Sequence, residues 1–264
     1  MIKPITQKVF FVDNEFLCEL KEASIAKYEY FQQPSLDTQI INLSIIDENA
    51  INKLHLLMDV EHIRPGNVLV KTQYSNQFSP IDCFDEDVTL KKFMLWQLLC
   101  MALGAKQVSV NSVESILIDS DSSAEYSASA ELKMPVGSGV IGGNYSARSS
   151  TENLKKKMIE MKAKATGSLP DLTAADEILT KNGLIRDDLF RSIRDMRSFP
   201  SNQLIQQHFT LDMTKDVKKM FDSSMTAKLG VVAQFYKARF DVSAIEKSLE
   251  KSKEAIKVTV SVDF

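Results

Sequence analysis

The feature that most constrains this fold is a helix with no polar side. Between Val88 and Leu103, residues Phe93, Met94, Leu95, Trp96, Leu98, Leu99, Met101 and Leu103 place apolar side chains nearly all round the helical wheel. A helix apolar on every side belongs inside a core. Asp85, Glu86 and Asp87 stand at its start, where the helix dipole favours carboxylates, and Gly104 stands where a C-terminal cap belongs. Covering such a helix takes several further elements. A chain of 264 residues, 44% hydrophobic and 25% charged, can supply them. Trp96, the only tryptophan, reads as a packing residue of this helix.

Beyond Gly104 the apolar period changes to two. Val108 and Val110 begin a strand that continues through a bulge to Ile116 and Ile118. From Ser123 to Met134 the alternation is strict. Ala124, Tyr126, Ala128, Ala130, Leu132 and Met134 are apolar, and Ser123, Glu125, Ser127, Ser129, Glu131 and Lys133 are polar. Pro135 to Gly139 interrupts it, and it resumes at Ile141, Gly143, Tyr145 and Ala147. This pattern predicts a long β-hairpin over 120–150 with its turn near Gly137. A further strand is expected through Ile159, Met161, Ala163 and Ala165. Thr173 and Asp176 form a capping pattern before a helix that Gly183 ends, and a second helix runs from about Arg186 to Arg197. Phe209, Leu211 and Met213 mark a strand, as do Ile256, Val258, Val260, Val262 and Phe264. Residues 216–240 fit a helix face and part of a strand, with helix or a mixed segment expected.

Ahead of the central helix the pattern is mixed. Val9 to Val12 suits a strand, Glu15 to Phe31 a helix ended by Pro34, and Gln39 to Ile46 an isoleucine-rich strand. Asp47 caps a helix through Ala50, Ile51, Leu54, His55 and Met58, and Val68 to Lys71 is a short strand. The expected fold is therefore α+β, with a largely antiparallel sheet, a long central β-hairpin and helices packed on one face. Residues 1–86 form a mixed N-terminal subdomain or extension, and 87–264 the main domain.

Composition narrows the function. The net charge of −3 provides no basic field for nucleic acid. It is unevenly spread: residues 1–120 hold 10 Lys and Arg against 16 Asp and Glu, and residues 121–264 hold 22 against 19. This reads as ordinary surface variation or, more sharply, as two halves that attract each other or a neighbouring copy. Cys18, Cys83 and Cys100 form no C-x-x-C pair, which fits reduced thiols and a cytoplasmic protein. The first residues lack the apolar core of a secretory signal, and no segment is long enough to span a bilayer as a helix.

No motif points to chemistry. Gly137-Ser138-Gly139-Val140-Ile141-Gly142 matches G-x-G-x-x-G. Alternation continues beyond it, so it reads as a hairpin turn rather than a dinucleotide loop opening a helix. His55, reading as a core histidine, His62 and His208 form no metal-ligand spacing, and no cofactor or metal is expected. The acidic run Asp82, Asp85, Glu86 and Asp87 reads as helix-start chemistry. Lys155, Lys156 and Lys157, with Lys162 and Lys164, form a basic patch that reads as a lysine-protected strand edge.

These residues support a non-enzymatic protein-interaction or self-assembling protein whose partner is another protein or a second copy of itself. The alternative is conditional membrane insertion through the amphipathic strands of 120–165, since alternation of small polar and apolar residues also suits a strand lining an aqueous pore. Both readings place the working surface at Tyr126, Ala128, Ala130, Leu132, Tyr145, Lys155, Lys156 and Lys157. An enzyme with an unrecognised site is a third reading, and it requires a concave pocket with perturbed titrating groups.

Overall fold

The computed structural model describes residues 6–118, 143–201, 204–237, 239 and 242–264, with the backbone alone for residues 48 and 143–151. These residues form an α+β fold with two four-stranded sheets.

The first sheet contains β1 (Lys8–Val12), β2 (Thr38–Asn42), β3 (Val68–Val70) and β4 (Ser79–Pro80), in the order β2-β1-β3-β4. β1 and β2 run parallel, and the other pairs are antiparallel. All five residues of β1 are buried. Phe10 and Val12 enter the large core, whereas Val9 and Phe11 enter a smaller one with Ile41, Leu54, Met58, Leu69 and Phe78. A strand covered on both faces needs no polar alternation, which explains the unbroken run Val9-Phe10-Phe11-Val12.

Helices α1 (Asn14–Ala23), α2 (Ile25–Gln32) and α3 (Glu48–Leu54) connect these strands. The single helix expected from Glu15 to Phe31 is two. Ser24 adopts an extended conformation, and its hydroxyl accepts the Lys27 amide at 3.2 Å, ending α1 and capping α2. Asp47 caps α3 as expected, accepting from the Ala50 amide at 2.6 Å.

The second sheet contains β5 (Gln107–Leu117), β6 (Ala163–Lys164), β7 (Gln206–Asp212) and β8 (Glu254–Asp263). Its order is β6-β5-β8-β7, antiparallel throughout. The expected bulge in β5 lies between Val110 and Ser112. It moves the buried positions from Val108 and Val110 to Val113. Val258, Val260 and Val262 of β8 and Phe209 and Leu211 of β7 face the same core.

Seven helices accompany this sheet: α4 (Phe84–Ala102), α5 (Gly143–Glu160), α6 (Leu172–Lys181), α7 (Asp188–Arg197), α8 (Thr214–Met220), α9 (Ser223–Tyr236) and α10 (Ser243–Lys251). Helix α4 is the apolar helix of the sequence. Phe93, Trp96, Leu99 and Cys100 are fully buried, and Trp96 packs edge-on to Phe190 and Phe209. Its burial is not complete all round, since Met94 and Leu98 are 46% and 50% exposed. Gly104 turns the chain out of α4 at φ +87°, and a Cβ there would lie 2.2 Å from the Ser168 carbonyl oxygen.

Several sequence expectations need correction. From Gly143 onward the second arm of the hairpin is helix α5, and the first arm, Ser123 to Met134, lies outside the described residues. Leu154 and Met158, four residues apart, face the core with Ile159 beside them. This helical stripe outcompetes the short period-two pattern of 141–147. The strand expected over 159–165 shrinks to Ala163–Lys164. The cap of α6 is Asp171 rather than Thr173. By contrast, the helix or mixed segment expected within 216–240 agrees with helices α8 and α9, which reach Tyr236.

The large core runs from Phe10, Phe16 and Phe31 through Trp96 to Val260. Phe16 stacks on Tyr236 at 4.9 Å, and the Tyr236 hydroxyl accepts the Asp13 amide at 3.2 Å. Three buried lysines add ionic ties across the chain. Lys8 pairs with Asp37 and Asp222, Lys92 with Asp216 at 3.0 Å, and Lys251 with Asp85 at 2.7 Å. Tyr74 donates to Asp216 at 3.0 Å, completing the Lys92 site.

Candidate interaction surfaces

Two surfaces stand out, one beside each sheet. The first is a groove of about 240 Å³ between β2 and α3, lined mainly by Ile40, Ile41, Ile45, Ile46, Leu54 and Leu57. Its chemistry is apolar, with Lys53 the only charged residue of its wall among the described residues. Ile45 of its wall is 76% exposed, and Leu36 and Leu56, close to the lining residues in sequence, are 82% and 81% exposed.

The groove adjoins a strand edge that is open among the described residues, where β2 is the outermost strand of its sheet. The Leu43 amide donates to the Val12 carbonyl, and the Lys8 amide to the Asp37 carbonyl. Odd residues of β2 therefore serve β1, and the backbone groups of Thr38, Ile40 and Asn42 point outward. The Asn42 carbonyl is taken by the Ile45 amide at 3.4 Å. Thr38 and Ile40 leave a short edge that an extended chain can pair with.

The second surface is the face of the second sheet left bare among the described residues. Gln206, His208, Thr210 and Asp212 of β7 are exposed on it, beside Ser109, Asn111, Thr259 and Ser261. At its centre the Ser261 hydroxyl lies 2.7 Å from His208 Nδ1, and Asn111 Nδ2 donates to Ser261 Oγ at 2.6 Å. A serine hydrogen-bonded to a histidine is the start of a nucleophilic pair. However, β8 is a central strand, so its ladder amides are committed to β5 and β7 and none is aimed at a developing oxyanion. The arrangement offers a flat hydrogen-bonding surface. His208 is thus a strand residue, as expected, whereas His55 is exposed at the end of α3 rather than buried.

Other candidate groups are occupied. Asp85 and Glu86 pair with Lys251, and Asp82 with Lys247, so the acidic run is matched by lysines of α10. Burial, reinforced by Asp82, Asp87 and Glu86, pushes the Cys83 thiol up to about 11, and burial also raises Cys100. Neither supplies a thiolate at neutral pH. Among the described residues no group of three or more His, Cys, Asp or Glu side chains is placed to hold a metal ion. Among them, also, no helix is long and apolar enough to cross a membrane.

The surface expected from sequence is divided. Tyr126, Ala128, Ala130 and Leu132 lie outside the described residues, as does the glycine motif 137–142. Tyr145 lies on α5, not on a strand. From Gly143, the first described residue beyond the motif, the chain is helix α5, where continued strand was expected. Lys155, Lys156 and Lys157 lie on the same helix. Lys156 and Lys157 are exposed and Lys155 is half-buried, while Leu154 and Met158 are buried. They form the solvated side of an amphipathic helix, not a strand edge. The β2 groove was not singled out by sequence reasoning. Its signal was the doubled isoleucines, Ile40-Ile41 and Ile45-Ile46, more apolar surface than one short strand needs.

No protein-family model, no curated protein and no solved structure matches this chain.

Proposed function

We propose that this chain is a non-enzymatic protein-interaction module that takes an extended apolar segment of a partner protein along β2. The observation that carries the reading is the groove between β2 and α3, with its apolar wall and adjoining open edge. Strand addition draws affinity from main-chain hydrogen bonds and selectivity from pockets for alternate side chains. Thr38 and Ile40 supply the first, and the space between Ile45, Leu54 and Leu57 supplies the second.

The test uses a capped heptapeptide alternating isoleucine and threonine, titrated into isotopically labelled protein. Saturable amide shifts centred on Thr38, Ile40, Ile45 and Leu54, abolished by Ile45→Glu, support the reading. Shifts scattered over the surface, or none at millimolar peptide, end it. The alternative, membrane insertion, retains the Ser123–Met134 alternation as its support. Dye release from anionic liposomes by the wild-type protein, lost in Ala128→Asp, would favour it over the interaction module.

A further inference from the structure

Of the sheet edges among the described residues, β7 is the longest without a guard. Protein sheets ordinarily protect their edges with short strands, lysine, proline or bulges. β4 is two residues long and contains Pro80. β6 is two residues long and ends on Lys164. The flank of β5 beyond β6 is kinked by the bulge at Val110–Ser112 and has α5 packed against it. β7 runs seven residues, Gln206 to Asp212, in unbroken register with β8, and contains neither lysine nor proline.

Hydrogen-bond parity shows which groups this edge presents. The Phe264 amide donates to the Ile205 carbonyl at 2.8 Å, and the Met213 amide to the Ile256 carbonyl at 3.1 Å. Both contacts fall in the β7–β8 register, so odd residues of β7 are the ones bonded to β8. The backbone N–H and C=O of Gln206, His208 and Thr210 and the N–H of Asp212 therefore point away from the sheet, while the Asp212 carbonyl accepts from Lys92 Nζ at 3.2 Å.

We propose that two copies of this chain associate through antiparallel β7–β7 pairing, joining two four-stranded sheets into one of eight. The strand is suited to itself. Its midpoint is Phe209, and a two-fold axis there sets His208 opposite Thr210 and Gln206 opposite Asp212 of the second copy. Those pairs are the outward-pointing ones, with the His208–Thr210 pairs at the centre fully available. No like charges meet, because the carboxylate of Asp212 faces an amide. On the core side Phe209 faces its own copy in a non-hydrogen-bonded pair, the closer kind, which favours aromatic contact. An isologous interface of this kind closes on itself. It uses neither β2 nor the groove, and it stands or falls separately from the proposed peptide site.

Sedimentation across a concentration series, with hydrogen exchange on the same samples, tests it. The expected result is a mass twice the 29.7 kDa of the chain. Amides of His208 and Thr210 become protected as concentration rises, while those of Gln207, Phe209 and Leu211 are protected throughout. His208→Lys with Thr210→Lys should weaken association by about tenfold or more, by placing lysines opposite lysines. His208→Lys with Thr210→Glu should restore it, because this register alone sets residue 208 against residue 210. A single-chain mass at about 100 μM, far above the Kd of a specific dimer, overturns the proposal. So does a dimer indifferent to the lysine pair, or concentration-independent exchange at His208 and Thr210.

Discussion

The two sheets meet the same core in different ways. The first is buried on both faces at β1, and its strands are short, three of them flanked by α1, α2 and α3. The second has one face in the core and one bare, and its strands β5 and β8 are about twice as long as β1. The first sheet owes its place to side chains on both sides and to Lys8, whose charge is met inside by Asp37 and Asp222. The second owes its place to valines on one side only. A substitution should therefore be felt everywhere along β1 but at alternate positions along β8.

The sharpest way to break that comparison is a charge on each sheet. Phe11→Asp should destabilise the protein by more than about 4 kcal/mol, enough to prevent folding, whereas Thr259→Asp on the bare face should cost less than about 1 kcal/mol. Urea unfolding of the two variants decides it, and similar midpoints would mean that the faces of the two sheets are not different. Next in size, Lys92→Met removes the charged partner of part-buried Asp216, leaving it Tyr74, and should cost about 3–5 kcal/mol. Adding Asp216→Asn should recover part of that loss, read as a rise in thermal midpoint over the single variant. Gly104→Ala forces a positive φ and a clash with backbone at the entrance to the second sheet, for a loss of about 2–3 kcal/mol by denaturant titration.

The smallest effect concerns the thiols. Exposed Cys18 should react first with a maleimide at pH 7.5, and Cys83 and Cys100 only on unfolding. The Cys83 thiol is raised in the fold from 9.0 to about 11. The folded state holds this proton more tightly than the unfolded chain. The associated stability is complete below pH 9.0 and is lost as pH rises towards 11. Cys83→Ser should flatten that slope, as followed by thermal midpoints from pH 8 to 11.

The same contrast governs what could be read from the sequence. One-faced strands alternate, so β8 and the bulged β5 were legible residue by residue, and so were β7 and the caps at Asp47 and Gly104. The two-faced β1 was visible as an apolar run without direction. The second hairpin arm failed because Gly143, Tyr145 and Ala147 satisfy a period of two over a run too short to decide between strand and helix. Leu154 and Met158, further along, settled the matter through contacts with the core. Neither interaction surface was legible. Which strand ends a sheet, and which of its amides point outward, depends on pairings between residues far apart in sequence, such as Gln206 with Asp263.

That remoteness has a kinetic side. β8 is the strand between β5 and β7, and its register joins Gln107 to Asp263 and Leu117 to Glu254. The second sheet cannot exist before this strand arrives, and closing so long a loop is slow relative to helix formation. Until then both β5 and β7 lack a neighbour, and the valines that will form the core face water. A chain caught at that stage offers exposed edges to any other chain in the same state. Refolding yield should therefore fall with protein concentration far more steeply than native stability would suggest.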